Sequence, residues 1–297
     1  MISFRFETPA IQDLHHPVVR SKHCKVDVLR LDQLHPQISG NKWFKLTYYL
    51  EEAIRQQKKR VVTFGGPWSN HLLATAAACH HLQLESAALV RGERPAVLST
   101  TLQDAESLGM KLHFLSRQDY DLKSIPRSFL TATDYLINEG GAGSLGVQGA
   151  ATILDQIDSS RYTHMLCAAG TGTTLAGLIN AAAPGCSIIG IPVLNDLRAI
   201  EGSLRDFVGH SKAEWQLLSG YAWGGYAKHP PDLLSFMNEL YRQTGVPTDM
   251  VYTAKLFYAC LSLLDNNFFE PGSRLLIVHS GGLQGNRSLP SSTFCFT

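Results

Sequence analysis

The chain carries the stretch Ser39-Gly40-Asn41-Lys42-Trp43-Phe44-Lys45 between a predicted strand at residues 26–31 and a predicted helix that begins at residue 44. Lys42 is therefore expected at a turn, where partial burial would leave its ammonium poorly solvated. Poor solvation lowers the pKa of a lysine and supplies the neutral amine that attacks carbonyls. The stretch indicates a Schiff-base lysine. A solvent-facing lysine at a helix start is the other interpretation of so short a motif.

A second informative stretch, Phe64-Gly65-Gly66-Pro67-Trp68-Ser69-Asn70-His71, follows about one helix later. Residues 61–64 are typical of a buried strand, and residues 70–83 are typical of an apolar helix. Ser69 or Asn70 therefore lies near the N-cap, where a short polar side chain accepts a backbone N–H. On this stretch alone, capping accounts for both residues.

A third stretch, Ala168-Ala169-Gly170-Thr171-Gly172-Thr173-Thr174-Leu175-Ala176-Gly177, follows a predicted strand and opens a predicted helix. Glycines let backbone N–H groups turn inward, the helix N-terminus carries positive partial charge, and threonine hydroxyls add donors. This pattern predicts a phosphate cradle. It matches neither the Walker motif nor the dinucleotide fingerprint, because Leu175 stands in place of the third glycine. A glycine-rich turn without a ligand is the alternative.

A Schiff-base lysine, a capping Ser-Asn pair and a phosphate cradle together describe a site for a phosphorylated aldehyde, and pyridoxal phosphate is the candidate cofactor. With these motifs the chain resembles the fold-type II pyridoxal-phosphate enzymes, in the branch of 1-aminocyclopropane-1-carboxylate deaminase and D-cysteine desulfhydrase. The resemblance runs from about residue 27 to residue 283. Its most specific signs, in chain order, are Leu34-His35-Pro36, Ser39-Gly40-Asn41-Lys42, Gly65-Gly66, Ser69-Asn70-His71, Val251-Tyr252-Thr253 and His279-Ser280-Gly281-Gly282.

Composition narrows the functional class. The chain has 297 residues, 44% of them hydrophobic, which is enough for two compact lobes. A net charge of +1 argues against a nucleic-acid or membrane-surface binder. Residues 1–7 show no secretory pattern, no apolar run approaches a membrane span, and the 6 cysteines are scattered, which together favour reduced thiols and the cytoplasm. The histidines lack ligand spacing, so no metal is indicated.

The order of elements predicts an α/β fold with two parallel-sheet lobes and a cleft between them. Strands and helices alternate over residues 61–115, with one helix predicted at residues 96–108. A helix predicted at residues 148–157 leads into a second alternating series, which begins at residue 164. Such sheets bind ligands at the carboxyl ends of their strands. The resemblance implies a tryptophan synthase β-like arrangement in which a small domain, residues 46–145, is inserted in a large cofactor-binding domain, residues 1–45 and 146–297. It also implies a homodimer.

The resemblance assigns roles to individual residues. Lys42 would hold the cofactor and then move a proton at the substrate α-carbon. Asn70 would hydrogen-bond the phenolic oxygen of the cofactor, and Ser69 would meet the substrate carboxylate or act in proton transfer. The backbone amides of Gly170, Thr171, Gly172, Thr173 and Thr174 would hold the phosphate. Tyr226 and Tyr252 would be the active-site tyrosine pair; without the resemblance both are ordinary half-buried tyrosines.

Two positions separate the branches of the resembled family. The cyclopropane-cleaving deaminases place a glutamate after the second tyrosine and a leucine before the final Gly-Gly, whereas this chain has Thr253 and Ser280. A carboxylate beside the pyridine nitrogen keeps it protonated and makes the ring a strong electron sink. A neutral hydroxyl such as Ser280 gives a weaker sink, which suffices when a good leaving group departs from the β-carbon. We therefore expect β-elimination from a small amino acid, most simply D-cysteine.

Three other functions stay open on the sequence. They are a 1-aminocyclopropane-1-carboxylate deaminase, a cysteine-synthase-type β-replacement enzyme, and a non-catalytic protein that binds pyridoxal phosphate. Residues 221–229 depart from the Leu-Pro-Asn pattern of both named branches, and Phe44 replaces an expected arginine. Because this region should contact the substrate, another amino acid substrate or a drifted surface loop would account for the departure.

Overall fold

The chain folds into two β-sheets with helices packed around them. The computed structural model describes residues 8–126, 128–209 and 213–296, so residues 1–7, examined above for a secretory signal, lie outside the described part. The strands are β1 (Ala10–Asp13), β2 (Lys25–Arg30), β3 (Arg60–Gly65), β4 (Glu85–Arg91), β5 (Lys111–Leu115), β6 (Asp134–Ile137), β7 (His164–Ala169), β8 (Ser187–Pro192), β9 (Trp215–Leu217) and β10 (Arg274–His279). The helices are α1 (Pro17–Ser21), α2 (Asn41–Arg55), α3 (Asn70–His81), α4 (Thr100–Ser107), α5 (Arg117–Asp121), α6 (Ser144–Ala151), α7 (Thr173–Ala181), α8 (Arg198–Phe207), α9 (Pro231–Thr244) and α10 (Thr253–Asp265).

The larger sheet has six strands in the order β1-β2-β10-β7-β8-β9, and only the β1–β2 pair is antiparallel. Its four central strands, β2, β10, β7 and β8, are largely buried on both faces, as expected when helices cover both sides of a parallel sheet. On β10, Leu276 and Val278 join one hydrophobic cluster, while Leu275 and Ile277 join another on the opposite face. The predicted parallel α/β architecture is therefore confirmed for this sheet.

The smaller sheet has four parallel strands in the order β5-β4-β3-β6. All of them fall between residues 60 and 137, inside the segment predicted as the inserted domain. The predicted boundaries at residues 45/46 and 145/146 fall within α2 and α6. The exact division of the chain into domains stays a prediction.

Helices α2, α6 and α7 pack side by side. Helix α6 lies between the other two, and glycines allow the helix backbones to approach closely. A Cβ on Gly149 would lie 1.9 Å from the Phe44 carbonyl oxygen of α2, and a Cβ on Gly177 of α7 would lie 2.7 Å from the Val147 carbonyl oxygen of α6. This packing sets the start of α2 against the start of α7.

Several predicted bounds were wrong, and each error has a local cause. Helix α2 begins at Asn41 rather than residue 44, so Lys42 lies inside its first turn. Helix α4 begins at Thr100 rather than residue 96, because the Ser99 hydroxyl caps it by accepting the Leu102 N–H at 3.2 Å. Helix α6 begins four residues earlier than predicted, directly after a glycine with a φ of 125°.

Some short elements had no clear sequence signal at all. The strands β1, β6 and β9 and the helices α1 and α5 are each three to five residues long, which is too short for a hydrophobic period to show. Within the described ranges, no helix has the length and apolarity that a membrane crossing requires.

Candidate active site

A cavity of about 420 Å³ lies at the carboxyl ends of strands from both sheets. Its wall is built from the start of α2 and from the segments that follow β3, β6, β7 and β10. The residues of the predicted site that line it are Lys42, Ser69, Asn70, Gly170, Thr171, Gly172, Thr174, Tyr226, Tyr252 and Ser280. Thr173 and Thr253 are fully buried and lie outside this wall. The structure thus brings together residues from near the start, the middle and the end of the chain.

Lys42 lies in the first turn of α2, and its ammonium contacts the side chain of the preceding residue, Asn41. Its Nζ donates to Asn41 Oδ1 at 2.9 Å. Burial lowers the pKa of Lys42 to about 8, and the Asp249 carboxylate acts in the opposite direction by favouring the charged form. A large share of the amine is therefore neutral near pH 8, as nucleophilic attack on a carbonyl requires.

Asn41 joins this lysine to the predicted phosphate cradle. It is 8% exposed, and its Nδ2 donates to Thr174 Oγ1 at 2.9 Å, while its Oδ1 accepts from Lys42. One amide side chain therefore spans the distance between the amine and the threonine-lined turn. The sequence prediction treated this asparagine as part of the motif but gave it no role.

The predicted cradle is a turn between β7 and α7. Gly172 has a φ of +80°, which favours glycine, and α7 begins at the next residue. The hydroxyl oxygens of Thr171 and Thr173 lie 3.0 Å apart. Backbone N–H groups at the N-terminus of this nine-residue helix have no partner within the helix itself, which suits an anion.

Lys45 is a second amine in the cavity wall, and the sequence prediction missed it. It is 3% exposed, and among the described residues its ammonium has no carboxylate within ion-pair distance. Burial holds the pKa of Lys45 well below its usual range, and the nearby charge of Lys42 lowers it further. A buried amine without a counter-ion favours an anionic ligand. The available signal was its position one helical turn after Lys42 on the same helix.

His71 lies beside Lys45, and both flank Gly141. The Thr63 hydroxyl donates to the Ile137 carbonyl oxygen at 2.8 Å, so Thr63 Oγ1 accepts from His71 Nε2, also at 2.8 Å. This arrangement leaves His71 Nδ1 as a bare acceptor, and that buried atom has no hydrogen-bond partner among the described residues. Burial, followed by the charges of Lys42 and Lys45, holds the pKa of His71 well below its usual value, so the ring is neutral.

Ser69 and Asn70 lie in the cavity wall at the start of α3. The Ser69 hydroxyl accepts the Leu72 N–H at 3.4 Å, which is the predicted cap. Asn70 Nδ2 makes only a long contact of 3.5 Å with the Gly282 carbonyl oxygen, and its Oδ1 is buried without a partner. Capping therefore accounts for Ser69 but leaves the Asn70 amide available to a ligand.

Tyr226 and Tyr252 lie together at the edge of the cavity. Their ring centroids are 6.2 Å apart, with an interplanar angle of 71°. Tyr226 is 57% exposed, so it lies where the cavity opens to solvent. Burial, followed by the neighbouring Tyr226, raises the pKa of Tyr252 well above its usual value, which keeps its hydroxyl protonated as a donor.

Ser280 lies where β10 ends, and its backbone is held against the start of α2. Its carbonyl oxygen accepts the Asn41 N–H at 3.2 Å. A Cβ at Gly40 would lie only 1.9 Å from that same oxygen, and Gly40 has a φ of +69°. Only glycine allows this approach, which places Ser280 in the same wall as Lys42.

Asp249 is a further wall residue that the sequence prediction missed. It is 1% exposed, and its carboxylate accepts N–H groups from Val251, Tyr252 and Thr253 at 2.8–3.0 Å, so it caps α10. The Thr253 hydroxyl donates to Asp249 Oδ1 at 2.8 Å. The Thr253 side chain is thus directed to this carboxylate rather than to the cavity. A capping aspartate four residues before a helix has no distinctive spacing, which explains why the sequence did not reveal it.

Unpartnered buried polar atoms are costly unless a ligand satisfies them. Asn70 Oδ1 and His71 Nδ1 are such atoms, and the Lys45 ammonium lacks a counter-ion among the described residues. A phosphorylated hydroxypyridine aldehyde provides an anion for Lys45 and the turn at residues 170–174, a phenolic hydroxyl that can donate to Asn70 Oδ1, and a carbonyl carbon for Lys42. The residues present therefore fit pyridoxal phosphate.

Two parallel α/β sheets with such a cavity at their carboxyl edges define the class of fold-type II pyridoxal-phosphate enzymes. A family model described as pyridoxal-phosphate dependent enzyme matches residues 14–281, and the chain belongs to that family. Pyridoxal phosphate is accordingly its cofactor.

Known relatives agree with this membership. The chain is 29% identical, over 84% of its length and 70% of the relative's, to the bifunctional D-cysteine desulfhydrase/1-aminocyclopropane-1-carboxylate deaminase, mitochondrial, of Arabidopsis thaliana. It is 27% identical to a D-cysteine desulfhydrase of Klebsiella pneumoniae, over 82% of this chain and 83% of the relative. The solved structure of an ACC deaminase homologue superposes with a TM-score of 0.80 at 24% identity, covering 94% of this chain and 91% of that one.

Proposed function

We propose that this chain catalyses β-elimination from a small amino acid, with D-cysteine as the preferred substrate, and yields a 2-oxo acid and ammonia. The observation that carries the choice of reaction is Ser280, a neutral residue in the cavity wall directly before Gly281-Gly282. When bound, pyridoxal phosphate supplies an electron sink for the bonds of the substrate α-carbon. The names of the two relatives support D-cysteine as substrate.

The residues of the cavity divide the work between binding and proton transfer. The backbone N–H groups of residues 170–174 and the Lys45 ammonium hold the phosphate. Asn70 binds the phenolic oxygen with its free amide. Lys42 Nζ removes the proton from the substrate α-carbon, for which a pKa of about 8 is well matched near neutral pH.

The substrate end of the cavity uses hydroxyl groups. Ser69 lies at the N-terminus of α3, where its hydroxyl and the helix dipole favour the substrate carboxylate. Tyr252, kept protonated by burial, donates a hydrogen bond toward the substrate, and Tyr226 covers the opening. With cysteine, the electron pair of the Cα–H bond forms a Cα–Cβ double bond as the Cβ–S bond breaks, and the sulfur leaves with its bonding pair and takes up a proton to depart as hydrogen sulfide. Water then hydrolyses the released enamine to pyruvate and ammonia.

The two nearest alternative reactions make different demands on the same residues. Ring opening of 1-aminocyclopropane-1-carboxylate needs a stronger electron sink than Ser280 supports, although the name of the Arabidopsis thaliana relative includes that activity. A β-replacement enzyme would share the cradle and the neutral Ser280 but would require an added nucleophile.

The test is a screen of the holoenzyme for 2-oxo acid and sulfide release. We expect pyruvate and sulfide from D-cysteine without an added nucleophile, and slower or no release of 2-oxobutyrate from 1-aminocyclopropane-1-carboxylate. Turnover only when a thiol acceptor is added would instead show β-replacement. A yellow protein that is inactive toward D- and L-amino acids would contradict the enzymatic proposal.

Ser280→Glu tests the basis of this choice directly. A carboxylate at this position would protonate the ring nitrogen and disfavour elimination, so we expect at least about a tenfold loss of kcat/KM with D-cysteine. Ser280→Ala is the matched control, because it keeps the position neutral. Equal activity of the glutamate variant and the wild type would show that position 280 does not act on the ring.

We also propose that the protein is a cytoplasmic homodimer. The cysteines of the described residues are all unpaired thiols, with Cys24, Cys79, Cys167, Cys186 and Cys260 buried and Cys295 exposed, which suits a reducing compartment. The dimer rests on the resemblance to the family. Cell fractionation and light scattering at several protein concentrations test the two statements, and a monomer at all concentrations would refute the second.

A further inference from the structure

We propose that Lys255 is a positioning residue that holds Tyr226 over the cavity by binding the carbonyl oxygen of Gly225. The inference rests on the proposed function only for its kinetic readout, because Lys255 itself does not line the cavity. Its Nζ donates to the Gly225 carbonyl oxygen at 2.6 Å.

The burial of Lys255 calls for an explanation. The residue is fully buried, and within the described residues its ammonium has no carboxylate at ion-pair distance. Burial lowers the pKa of Lys255 to about 8, with the Asp249 carboxylate opposing the shift. An apolar side chain of similar length, such as methionine, would occupy this place without the cost of removing an ammonium from water. The hydrogen bond to Gly225 is the feature that only the lysine supplies.

The segment that receives this hydrogen bond has an unusual backbone. Trp223, Gly224, Gly225 and Ala227 all have positive φ values, of 51°, 88°, 111° and 55°. Two of these residues carry side chains that disfavour this conformation, so surrounding contacts must hold it. Another side-chain tie to this stretch is a longer bond of 3.3 Å from Asn195 Nδ2 to the Gly224 carbonyl oxygen, made by an exposed residue.

The geometry links this contact to the tyrosine pair. Lys255 lies in the first turn of α10, and Tyr252, three residues earlier, is the N-cap residue of the same helix. Tyr226 follows Gly225 directly, and its ring lies 6.2 Å from that of Tyr252. The start of α10 and its N-cap therefore supply the lysine that places Tyr226 and the other tyrosine of the pair. Residues 223–227 lie within residues 221–229, where the sequence departs from the Leu-Pro-Asn pattern of the resembled family.

The first test compares Lys255→Met with Lys22→Met in the holoenzyme. Lys22 is the matched control, because its Nζ donates to the Asp265 carbonyl oxygen at 2.7 Å, at the far end of the same helix. We expect Lys255→Met to lower kcat/KM for D-cysteine about tenfold while the visible absorbance of the bound cofactor is retained. We expect Lys22→Met to stay within about twofold of wild type. An unchanged kcat/KM in Lys255→Met would overturn the proposal.

A double-mutant cycle separates positioning from a general loss of structure. If Lys255 acts through Tyr226, Lys255→Met should have little further effect in a Tyr226→Phe background, whereas independent effects would multiply. Multiplied effects on kcat/KM would refute the proposal. Should Lys255→Met fail to fold, Lys255→Leu, which likewise lacks an N–H donor, takes its place in both tests with the same expected and contradicting results.

Hydrogen exchange provides a readout that requires no turnover. In the cofactor-bound protein, we expect Lys255→Met to increase amide exchange in residues 221–229 and to leave the β-strands of the larger sheet unchanged. Lys22→Met should leave both regions unchanged. This result does not depend on the substrate. If the wild-type protein were inactive in the substrate screen, the proposed function would be refuted, but hydrogen exchange would still test whether Lys255 holds residues 221–229. Unaltered exchange in residues 221–229 would refute the role of Lys255.

Discussion

Lys42 and Lys45 lie one helical turn apart in the same cavity, yet their surroundings suit them to different tasks. Lys42 donates a hydrogen bond to Asn41. Burial lowers the pKa of Lys42 to about 8, and the Asp249 carboxylate opposes this shift. Lys45 lies deeper, beside the neutral His71, and has no carboxylate partner among the described residues. The first suits a reactive amine that changes its protonation state. The second suits a counter-ion for a phosphate, because the negative charge of a bound phosphate would oppose the effect of burial and favour the charged form of Lys45.

Replacing Lys42 should abolish the chemistry without emptying the cavity. We expect Lys42→Ala to lose the visible absorbance of the covalently held cofactor and at least about a thousandfold of kcat, because it removes both the nucleophile and the base. Lys58→Ala is the control, since Lys58 bonds the Ala132 carbonyl oxygen in an exposed position away from the cavity. Retention of the absorbance in Lys42→Ala would contradict the assignment.

Lys45→Met should weaken cofactor binding rather than chemistry. A hydrogen bond to a charged group contributes roughly 1.5–3 kcal/mol, so we expect the Kd of pyridoxal phosphate to rise about tenfold or more. The Kd of pyridoxal, which lacks the phosphate, should change little. Equal weakening of both ligands, measured by absorbance titration, would show that Lys45 does not serve the phosphate.

The apoprotein should react with the cofactor in a pH-dependent manner. Burial lowers the folded-state pKa of Lys42 to about 8, below its usual value, so the neutral amine increases as the pH rises through 8. We expect the rate of cofactor attachment, followed by stopped-flow absorbance, to rise between about pH 7 and 9 and then level off. A rate that continues to rise toward the ordinary lysine pKa would show an exposed, unperturbed amine.

At the level of elements, the site depends on close backbone approaches that the sequence shows only as glycines. The Gly40 backbone touches that of Ser280, and Gly149 of α6 lies against the Phe44 carbonyl oxygen of α2. These contacts set the distance between α2, which carries Lys42, and the loops after β7 and β10. The longer strands, the long helices and the glycine-rich turn at residues 170–174 were predictable from apolar runs and turn residues. Lys45, His71 and Asp249 were not, because burial of a polar residue depends on such tertiary contacts.

Gly40→Ala tests the tightest of these approaches. The added Cβ would lie 1.9 Å from the Ser280 carbonyl oxygen, and the φ of +69° disfavours alanine, so we expect a loss of about 1–3 kcal/mol in the free energy of unfolding. Gly202→Ala is the control, because Gly202 lies within α8 and a Cβ added there would meet no neighbouring atom within 4 Å. Chemical denaturation measures both, and equal stability of the two variants would contradict the close approach.

At the level of the whole molecule, the cavity wall takes residues from both sheets, so its ligand should stabilise them together. The segments after β3 and β6 come from the smaller sheet and those after β7 and β10 from the larger one. The order of elements along the chain predicted two parallel-sheet lobes with a cleft between them. The exact domain boundaries were less predictable, because α2 and α6 each span a predicted boundary.

Cofactor removal should therefore lower the stability of the whole chain. A ligand at about 100 times its Kd adds about 2.7 kcal/mol to the free energy of unfolding, so we expect the apoprotein to melt at a lower temperature than the holoprotein. Hydrogen exchange should show reduced protection on both sides of the cavity. Loss of protection on one side alone would contradict a cofactor that contacts both sheets.

The identity of the reactive amine can be measured directly by borohydride reduction of the reconstituted holoprotein, followed by protease digestion and mass spectrometry. We expect a phosphopyridoxyl group on Lys42, with Lys45 unmodified in the same peptide. Modification of Lys45, or of surface lysines to the same extent as Lys42, would contradict it.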